Sequence, residues 1–325
     1  MSAIPSSTRS VPEAALSAPS SEIHSSSNQP LRVVSVSLGS SSRDHTAHAQ
    51  LLGHCFTIER QGTDGDLDKA CRIIKELDGQ VAAIGLGGID LYVVVGQRRY
   101  VLPDAARMAK MAKTTPVVDG SGLKDTLERE TIRRLQRDGT VDFKGAKVLL
   151  VSAVDRFGMA EQLVQSGAQV VFGDLQFNIG LPIGIRKLST LRLLGRVILP
   201  IATRLPYKMF YPTGEKQKEI KSTSAYQKFY DAADIIAGDF LLIRRYLPAR
   251  IDGKTILTNT VTSADIELLR ERGARRLITT TPEFEGRSFG TNVMEGVFAA
   301  LGARKPNEYS NLLQQLGWQP RIVDF

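Results

Sequence analysis

The sequence predicts an α/β protein with two α/β domains, the second built on a doubly wound, mostly parallel sheet. From Val33 onward, short β-branched runs alternate with amphipathic helical stretches, and this alternation is typical of βα units. The connections are short, as in such units. The 325 residues, 42% apolar and 23% charged, suffice for two domains and exclude a fully disordered, collagen-like or coiled-coil chain.

The first half reads as strands and helices in alternation. Helix 66–77 places Leu67, Ala70 and Ile74 on one face. The polar stretch Gln136–Lys144 contains a glycine and suits a domain boundary. The predicted strands are Val33–Leu38, Phe56–Arg60, Val81–Leu86, Leu91–Val95 and Pro116–Val118, and the predicted helices are Asp66–Leu77, Asp104–Lys113 and Thr126–Arg137.

The second half opens with the clearest βαβ unit, in which strand Gln169–Asp174 ends in an acid. The full set of predicted elements is Lys147–Ser152, Gly158–Gly167, Gln169–Asp174, Ile235–Gly238, Thr255–Thr258, Ala264–Arg272, Arg276–Thr280 and a helix near Thr291–Leu301. We therefore expect an N-terminal α/β substrate domain at 32–143. A Rossmann-like domain at 144–325 should follow, with a basic insertion at about 179–222.

Residues 1–31 form a Ser/Pro-rich tail that we expect to be disordered. Ten serines and four prolines among the first 30 residues leave little apolar surface to offset the ordering entropy. The tail lacks the apolar run of a secretory signal. The two cysteines, Cys55 and Cys71, suit a reduced compartment. The expected location is cytoplasmic, with a plastid or a peripheral membrane as alternatives.

A dinucleotide site is predicted after the strand that ends at Ser152. Such a site needs a tight turn, a helix N-terminus for the pyrophosphate, and an acid at the end of the next strand for a ribose hydroxyl. The candidate NAD or NADP ligands are Ser152, Ala153, Asp155, Arg156, Gly158 and Asp174. Ala153 and Asp155 stand where two glycines are usual, so alternatives remain: Gly158 permits close helix packing, or Asp155 is itself a catalytic or ligand-binding acid.

Two further glycine-rich turns are candidates for the substrate side. Gly87 and Gly88 end a strand, where they allow a ligand to approach the backbone or simply form a tight turn. The segment VVDGSGLKDT places Lys124 near a helix start, where amides, the helix dipole and an ammonium group attract an anion. The alternative is a solvated helix-end lysine.

Near the C-terminus, the segment TTTPEFEGRSFGTN precedes an apolar helix. Arg287 suits bidentate binding of a carboxylate or phosphate, assisted by Ser288 and Thr291. Alternatively, one of the hydroxyls caps the helix and Arg287 pairs with a nearby glutamate. Asn259 follows strand 255–258 at a comparable position and is also a substrate-binding candidate.

Three histidines lie close together, His45, His48 and His54. His45 and His48 would share one helix face, which is compatible with metal binding. However, no second ligand cluster is present and the spacing matches no zinc pattern, so no metal is predicted.

The net charge of +8 is moderate, whereas a nucleic-acid-binding protein usually concentrates its charge more; no nucleic-acid partner is predicted. Residues 179–212 contain six basic side chains and no acidic one. Leu191, Leu194 and Ile198 would line one helical face, opposite Arg192 and Arg196. This segment suits peripheral contact with an anionic membrane, or else a lid or the arm of a homodimer.

Long segments resemble a bacterial family, found in cyanobacteria among others, that is labelled quinate 5-dehydrogenase. The segments that carry the resemblance are VVSVSLGSSSRDH, GTDGDLDKA, AIGLGGIDLY, TPVVDGSGLKDTLER, VSAVDRFGMAE, FGDLQF, YPTGEKQ, ADIIAGDF and ITTTPEFEGRSFGTNV. The resemblance implies an NAD(P)-dependent oxidoreductase that acts on a cyclic hydroxy acid such as quinate or shikimate. It also implies a catalytic Lys–Asp pair, which maps onto Lys124 with Asp119 or Asp125; the N-T-D motif of authentic shikimate dehydrogenases is absent.

The leading hypothesis from the sequence is thus a two-domain oxidoreductase with NAD(P) after Ser152 and a small-molecule substrate. Lys124 would be the base, oriented by Asp119 or Asp125, and Arg287 would bind a carboxylate. A non-catalytic ligand-binding or regulatory protein on the same scaffold is the alternative, and a membrane-surface protein that uses the basic segment is a third.

Overall fold

The computed structural model describes residues 29–96, 98–204, 224–281, 283–284, 287–288 and 290–325. This described part contains two sheets rich in parallel pairs, each covered by helices. The predicted α/β fold class is confirmed. Residues 1–28 of the tail that we expect to be disordered lie outside the described residues. Residues 205–222 of the basic insertion also lie outside them.

The first sheet pairs strands in the order β2-β3-β1-β4-β7. All pairs are parallel except β2 with β3. Strands β5 and β6 form a separate antiparallel hairpin. The elements are β1 (Leu31–Ser37), a 3-10 turn (Ser41–Arg43), β2 (His45–Leu51), β3 (His54–Gly62), α1 (Leu67–Leu77), β4 (Ala83–Gly87), β5 (Tyr92–Val95), β6 (Arg98–Val101), α2 (Pro103–Ala109), β7 (Val117–Val118) and α3 (Ser121–Arg137).

The elements of the second half follow the predicted βα alternation. Strands β10 (Ile235–Gly238) and β11 (Thr255–Thr258) have the bounds that the sequence predicts, and the ends of the other predicted elements of this half differ by at most two residues. The elements are β8 (Lys147–Leu150), α4 (Phe157–Gln165), β9 (Gln169–Phe172), α5 (Asp174–Ile179), α6 (Leu188–Ala202), α7 (Ser224–Asp231), β10 (Ile235–Gly238), α8 (Phe240–Arg245), β11 (Thr255–Thr258), α9 (Ser263–Glu271), β12 (Arg276–Thr279), β13 (Glu283–Phe284), β14 (Arg287–Ser288), α10 (Thr291–Ala300), α11 (Pro306–Gln315) and β15 (Arg321–Asp324).

The second sheet has the order β9-β8-β10-β11-β12-β15, and β15 is its antiparallel edge strand. The chain runs from β8 through α4 to β9 on one side, and then crosses to β10 on the other side of β8. The strand order therefore reverses between β8 and β10. In open α/β sheets, ligands bind at such a point, outside the carboxyl ends of the strands.

Both sheets bury apolar residues on two faces, as parallel strands covered by helices must. On the first sheet, Val34 packs toward α1 and α2, whereas its neighbour Val33 packs toward α3, α10 and α11. The last two helices thus return to the first sheet: Val297 of α10 and Leu313 of α11 share a core with Val33. Two helices from the expected unit 144–325 therefore pack on the first sheet.

Helix α3 joins the two cores. Leu123 and Leu127 belong to the core of the first sheet, and Ile132 and Leu135 to that of the second. The helix begins at Ser121, five residues before the predicted start, so Lys124 lies in its first turn.

The helix interpretation of His45 and His48 is wrong. Both residues lie on strand β2, where Ala47 and Leu51 are buried and the histidines are exposed. The strand forms because His45–Leu51 pairs antiparallel with β3 over its full length. The two histidines therefore do not share a helix face.

The described helices include none with the length and apolarity needed to cross a bilayer.

Candidate functional site

Loops that follow three parallel strands meet between the two sheets. The loop after β4 carries Asp90, α3 carries Lys124 in its first turn after β7, and the turn after β8 carries Asp155. Asp90 and Asp155 both raise the pKa of Lys124, which shows that the three side chains are electrostatic neighbours. We call the place defined by Asp90, Lys124 and Asp155 the junction site.

Lys124 is the accessible cation of the junction site. Its Nζ lies 3.5 Å from Oδ2 of Asp90, and the two side chains are 16% and 23% exposed. Burial alone would lower the pKa of Lys124, but the carboxylates of Asp90 and Asp155 outweigh it and raise the pKa above its usual value. Lys124 therefore remains an ammonium group at neutral pH and is poorly suited to act as a base.

The two expected partners of Lys124 have other partners. One carboxylate oxygen of Asp119 accepts the Leu91 amide at 2.5 Å, and the other accepts the Ser121 hydroxyl at 2.8 Å. Asp125 forms an ion pair with Arg129 at 3.0 Å. A Lys–Asp pair of the predicted type does form, but with Asp90. Burial, together with the negative charge of Asp90, raises the pKa of Asp119.

Asp174 occupies the turn after β8 instead of facing a ligand. Its Oδ1 accepts the Ala153 amide at 3.0 Å and the Val154 amide at 2.9 Å, and the residue is only 4% exposed. Burial raises its pKa to about 7, an effect that these amides oppose and the nearby Asp155 reinforces. Backbone donors that could face a pyrophosphate are thus already satisfied, and the carboxylate has no opening toward a ribose.

Ser152 and Asp155 are linked to each other across the same turn. The distance between Ser152 Oγ and Asp155 Oδ1 is 2.7 Å, and the Asn178 amide donates to Ser152 Oγ at 3.3 Å. Ser152 is buried, whereas Asp155 is half-buried and faces the charge of Lys124. Of the candidate ligands in this turn, Asp155 is therefore the one that belongs to the junction site.

Arg156 lies at the point where the strand order reverses. Its buried guanidinium donates to Glu128 of α3 and, at 2.9 Å, to Asp239 just after β10. Burial opposes the charge of Arg156, but Glu128 and Asp239 outweigh it and raise its pKa. The arginine therefore fills the crevice with an ion triad from this chain, which ties α3 to the second sheet.

Gly158 permits close helix packing. A Cβ atom at this position would lie 1.9 Å from Oδ1 of Asp125 and 3.1 Å from Nε of Arg129, both on α3. The absent side chain thus leaves room for α3 and not for a phosphate. This contact agrees with the packing alternative that the sequence left open.

A pyridine dinucleotide does not fit the turn after β8 as it is arranged here. A pyrophosphate would require the Ala153 and Val154 amides, which Asp174 holds, and the crevice that Arg156 fills. It would also face the carboxylate of Asp155. The six residues predicted to bind NAD or NADP are therefore used for contacts within the protein or, for Asp155, for the junction site.

The predicted substrate residues also serve mainly structural roles. A Cβ on Gly87 would lie 2.8 Å from Cβ of Ser37, so this glycine is needed for strand packing. Gly88 has φ +73°, is exposed and lies two residues before Asp90. Asn259 donates to Asp239 at 3.0 Å and accepts the Phe240 amide at 3.1 Å, which fixes the start of α8.

The C-terminal candidates lie in two places, Thr291 at the start of α10 and Arg287 with Ser288 in β14. Thr291 begins α10, and Cβ on Gly120 would lie 2.8 Å from its Oγ1. Thr291 thus lies against the turn that precedes α3. Arg287 and Ser288 form β14, which pairs with β13, and their side chains lie outside the described residues.

Sequence reasoning missed several charged residues around the junction, namely Asp90, Glu128 and Asp239 as contributors and Glu295 as a buried acid. One signal could have found two of them, Asp90 and Asp239. An acid or an asparagine follows the carboxyl end of strand after strand: Asp90, Asp119, Asp155, Asp174, Asp239 and Asn259.

Glu295 of α10 is another buried acid near α3. It accepts the Tyr309 hydroxyl at 2.8 Å and is only 5% exposed. Burial raises its pKa to about 7, and the negative charge of Asp119 adds to this effect. Among the described residues, no group of three or more His, Cys, Asp and Glu side chains is arranged to hold a metal ion.

Family models divide the chain at the start of α3. Residues 122–325 match the model of a domain of unknown function, DUF8754. The chain belongs to this family. A second domain of unknown function, DUF8753, matches residues 32–119. No curated protein matches the sequence.

Solved structures resemble the chain only distantly. GanP, a glucose-galactose binding protein from Geobacillus stearothermophilus, is 9% identical, with 91% of this chain and 98% of that chain covered and a TM-score of 0.38. L-Tryptophan dehydrogenase from Nostoc punctiforme is 11% identical, with 89% and 79% covered and a TM-score of 0.37. Hetero-hexameric glutamate dehydrogenase from Thermus thermophilus is 11% identical, with 89% and 70% covered and a TM-score of 0.37.

Proposed function

We propose that this protein binds a small polyhydroxylated molecule at the junction site, without a dinucleotide on the turn after β8. The observation that carries this proposal is the half-buried Lys124–Asp90 contact of 3.5 Å. Charge-assisted hydrogen bonds are usually about 2.7–2.9 Å long. The ammonium group has three donors, and its hydrogen bond to Asp90 is long, so Lys124 has donor capacity for a ligand oxygen.

The charges around the junction indicate what kind of ligand fits. Among the described residues, carboxylates from both domains outnumber the cations there: Asp90, Asp119, Glu128, Asp155 and Asp239 surround Lys124 and Arg156. A pyrophosphate would meet net repulsion. Hydroxyl groups instead donate to carboxylates, so a polyol suits Asp155, and Lys124 suits a ligand oxygen or a single carboxylate.

Calorimetric titration of the full chain with quinate, shikimate and the uncharged polyol inositol tests this proposal. We expect saturable binding of at least one of them. Lys124→Met should lower the affinity for the hydroxy acids about tenfold or more, because a hydrogen bond to a charged group contributes about 1.5–3 kcal/mol. The affinity for inositol should fall less, since inositol has no carboxylate for the ammonium group.

Lys113→Met is the matched control, because Lys113 is an exposed lysine of the same domain outside the junction site. It should leave every affinity unchanged. The proposal fails if no polyhydroxylated compound binds, or if Lys124→Met binds the acids as tightly as the unchanged protein.

The second candidate is an NAD(P)-dependent oxidoreductase of the quinate and shikimate type, as the sequence resemblance implies. It requires the turn after β8 to rearrange, so that Asp174 releases the Ala153 and Val154 amides. The Lys124–Asp90 pair favours it, because a lysine paired with an aspartate is what that resemblance implies, and this pair lies beside a Rossmann-like sheet. Since Lys124 remains protonated, it would hold or protonate the reacting oxygen and would not remove its proton.

Turnover assays with quinate or shikimate and either cofactor test the second candidate. Formation of NADH or NADPH that Lys124→Met abolishes and Lys113→Met retains would favour the oxidoreductase. Binding of the acids without turnover would favour the binding protein.

A further inference from the structure

Helix α6 presents an apolar stripe to solvent. Leu193, Val197 and Ile201 follow one another at four-residue spacing and are 62%, 61% and 67% exposed. The segment just before the helix exposes Ile179, Leu181 and Ile183 as well. Large apolar side chains that are grouped and exposed in this way mark an interaction surface.

The fold fixes which face of α6 points outward. Leu191 and Leu199 are buried in the core of the second sheet. Between them, Gly195 lies so close to the β5–β6 hairpin that a Cβ would be 3.1 Å from Cγ1 of Val95. The stripe of Leu193, Val197 and Ile201 therefore cannot turn inward without displacing this packed face. The predicted apolar face of Leu191 and Leu194 packs on the core of the second sheet, and the exposed stripe lies on a different side of the helix.

A basic pocket adjoins the stripe. It is lined by Gly96, Arg98, Glu161, Arg192 and Arg196. Glu161 accepts hydrogen bonds from Arg129 at 2.7 Å and from Arg192 at 2.6 Å, so its charge is already balanced. Arg98 and Arg196 are exposed and give the pocket its positive charge.

We infer that α6 lies on the surface of an anionic lipid bilayer. The apolar stripe would enter the boundary between headgroups and acyl chains, and Arg98 and Arg196 would bind lipid phosphates. Charge complementarity selects this partner: residues 179–204 carry five cations and no acid. A second copy of the chain would bring two such basic faces together, which is unfavourable. The surface is distinct from the junction site, so this inference does not depend on the proposed function.

Co-sedimentation of the full chain with phosphatidylcholine vesicles, with and without phosphatidylglycerol, tests the inference. We expect binding only when the anionic lipid is present, and weaker binding as salt rises from 50 to 300 mM. Arg98→Gln with Arg196→Gln should lower the partition coefficient tenfold or more, since each cation near the membrane contributes about fivefold. Arg133→Gln, at an exposed arginine on α3, should change nothing.

The stripe is tested separately with Leu193→Gln plus Val197→Gln. The partition coefficient of this variant should fall several-fold. Leu241→Gln, at a leucine that is 49% exposed on α8, should bind vesicles like the unchanged protein. Because all of these positions are exposed, the variants should fold, and circular dichroism checks this. Absence of binding to phosphatidylglycerol vesicles overturns the inference. So does a stripe variant that converts a dimer to a monomer in sedimentation without any loss of vesicle binding.

Discussion

The strand ends around Arg156 and those around Lys124 use their polar groups differently. In the second sheet, these groups bind one another: Asp174 holds two amides of the turn after β8, and Asp239 holds Arg156 and Asn259. In the first sheet, Lys124 and Asp90 meet at 3.5 Å and remain half-buried. A carboxylate at the carboxyl end of a strand, such as that of Asp239, is therefore a poor candidate ligand when both of its oxygens already accept hydrogen bonds within the protein.

The turn that best matches a nucleotide-binding motif is not the most convincing ligand site of the molecule. The turn after β8 has the position, the helix and the terminal acid that a dinucleotide fold requires. Its acid, however, points back at the turn, and the neighbouring arginine fills the crevice.

The largest effect is expected for Arg156→Met, which leaves Glu128 buried without its partner. Breaking a buried ion pair by removing one member costs about 3–5 kcal/mol in the free energy of unfolding. Urea unfolding measures this loss. Arg129→Met should cost about 1 kcal/mol or less, because Arg129 and its partners are partly exposed. Equal losses for the two variants would contradict the role given to Arg156.

The next largest loss of stability is expected for alanine at Gly120, in the turn between β7 and α3, and it is compared with alanine at Gly158, in the turn between β8 and α4. Gly120 has φ +90°, and a Cβ there would lie 2.5 Å from the backbone nitrogen of Asn292. Gly120→Ala should therefore cost about 3 kcal/mol, from left-handed strain plus a backbone clash. Gly158→Ala meets a side chain, Asp125, that can move, and should cost less.

Gly139→Ala is the control for Gly120→Ala. Gly139 has φ +71° with no atom near its Cβ position. Gly139→Ala should therefore lose only the free energy of left-handed backbone strain, about 1–2 kcal/mol. Thermal unfolding of the three variants ranks them. If Gly120→Ala were no worse than Gly139→Ala, the close approach of α10 to the first sheet would be disproved.

A pH effect of about 2–3 kcal/mol is expected from Asp174. Its pKa is about 7 in the folded protein and about 3.8 in the unfolded chain, so the folded state binds more protons between these values. Stability should therefore fall as pH rises from 5 to 8. Asp174→Asn keeps an acceptor for the two amides and should reduce this slope, whereas Glu295, whose pKa is also raised to about 7, keeps its own contribution. The slope is measured by urea unfolding at several pH values; an unchanged slope would show that Asp174 is ionised throughout.

Local pattern sufficed for most strands and helices but not for long-range contacts. The bounds of β10 and β11 follow from short β-branched runs, which mark buried strands directly. Strand β2 was missed because its stability comes from pairing with β3, and its His, Thr and Gln side chains carry no strong apolar signal. The return of α10 and α11 to the first sheet has no local signature at all.

The candidate site was predictable in part for the same reason. Lys124 follows from the glycine-rich turn before α3, but its partner Asp90 lies 34 residues earlier in the chain. That pairing depends on β4 lying beside β7, which sequence spacing does not reveal. Likewise, Asp174 was placed at the correct strand end, but the direction of its carboxylate depends on packing.

Titration of the full chain with NADH and NADPH tests the central claim most directly. If the strand-end groups of the second sheet bind one another, neither nucleotide should show saturable binding up to millimolar concentration, with or without quinate. Saturable micromolar binding of either nucleotide would contradict the account, above all if Gly158→Ala abolished it.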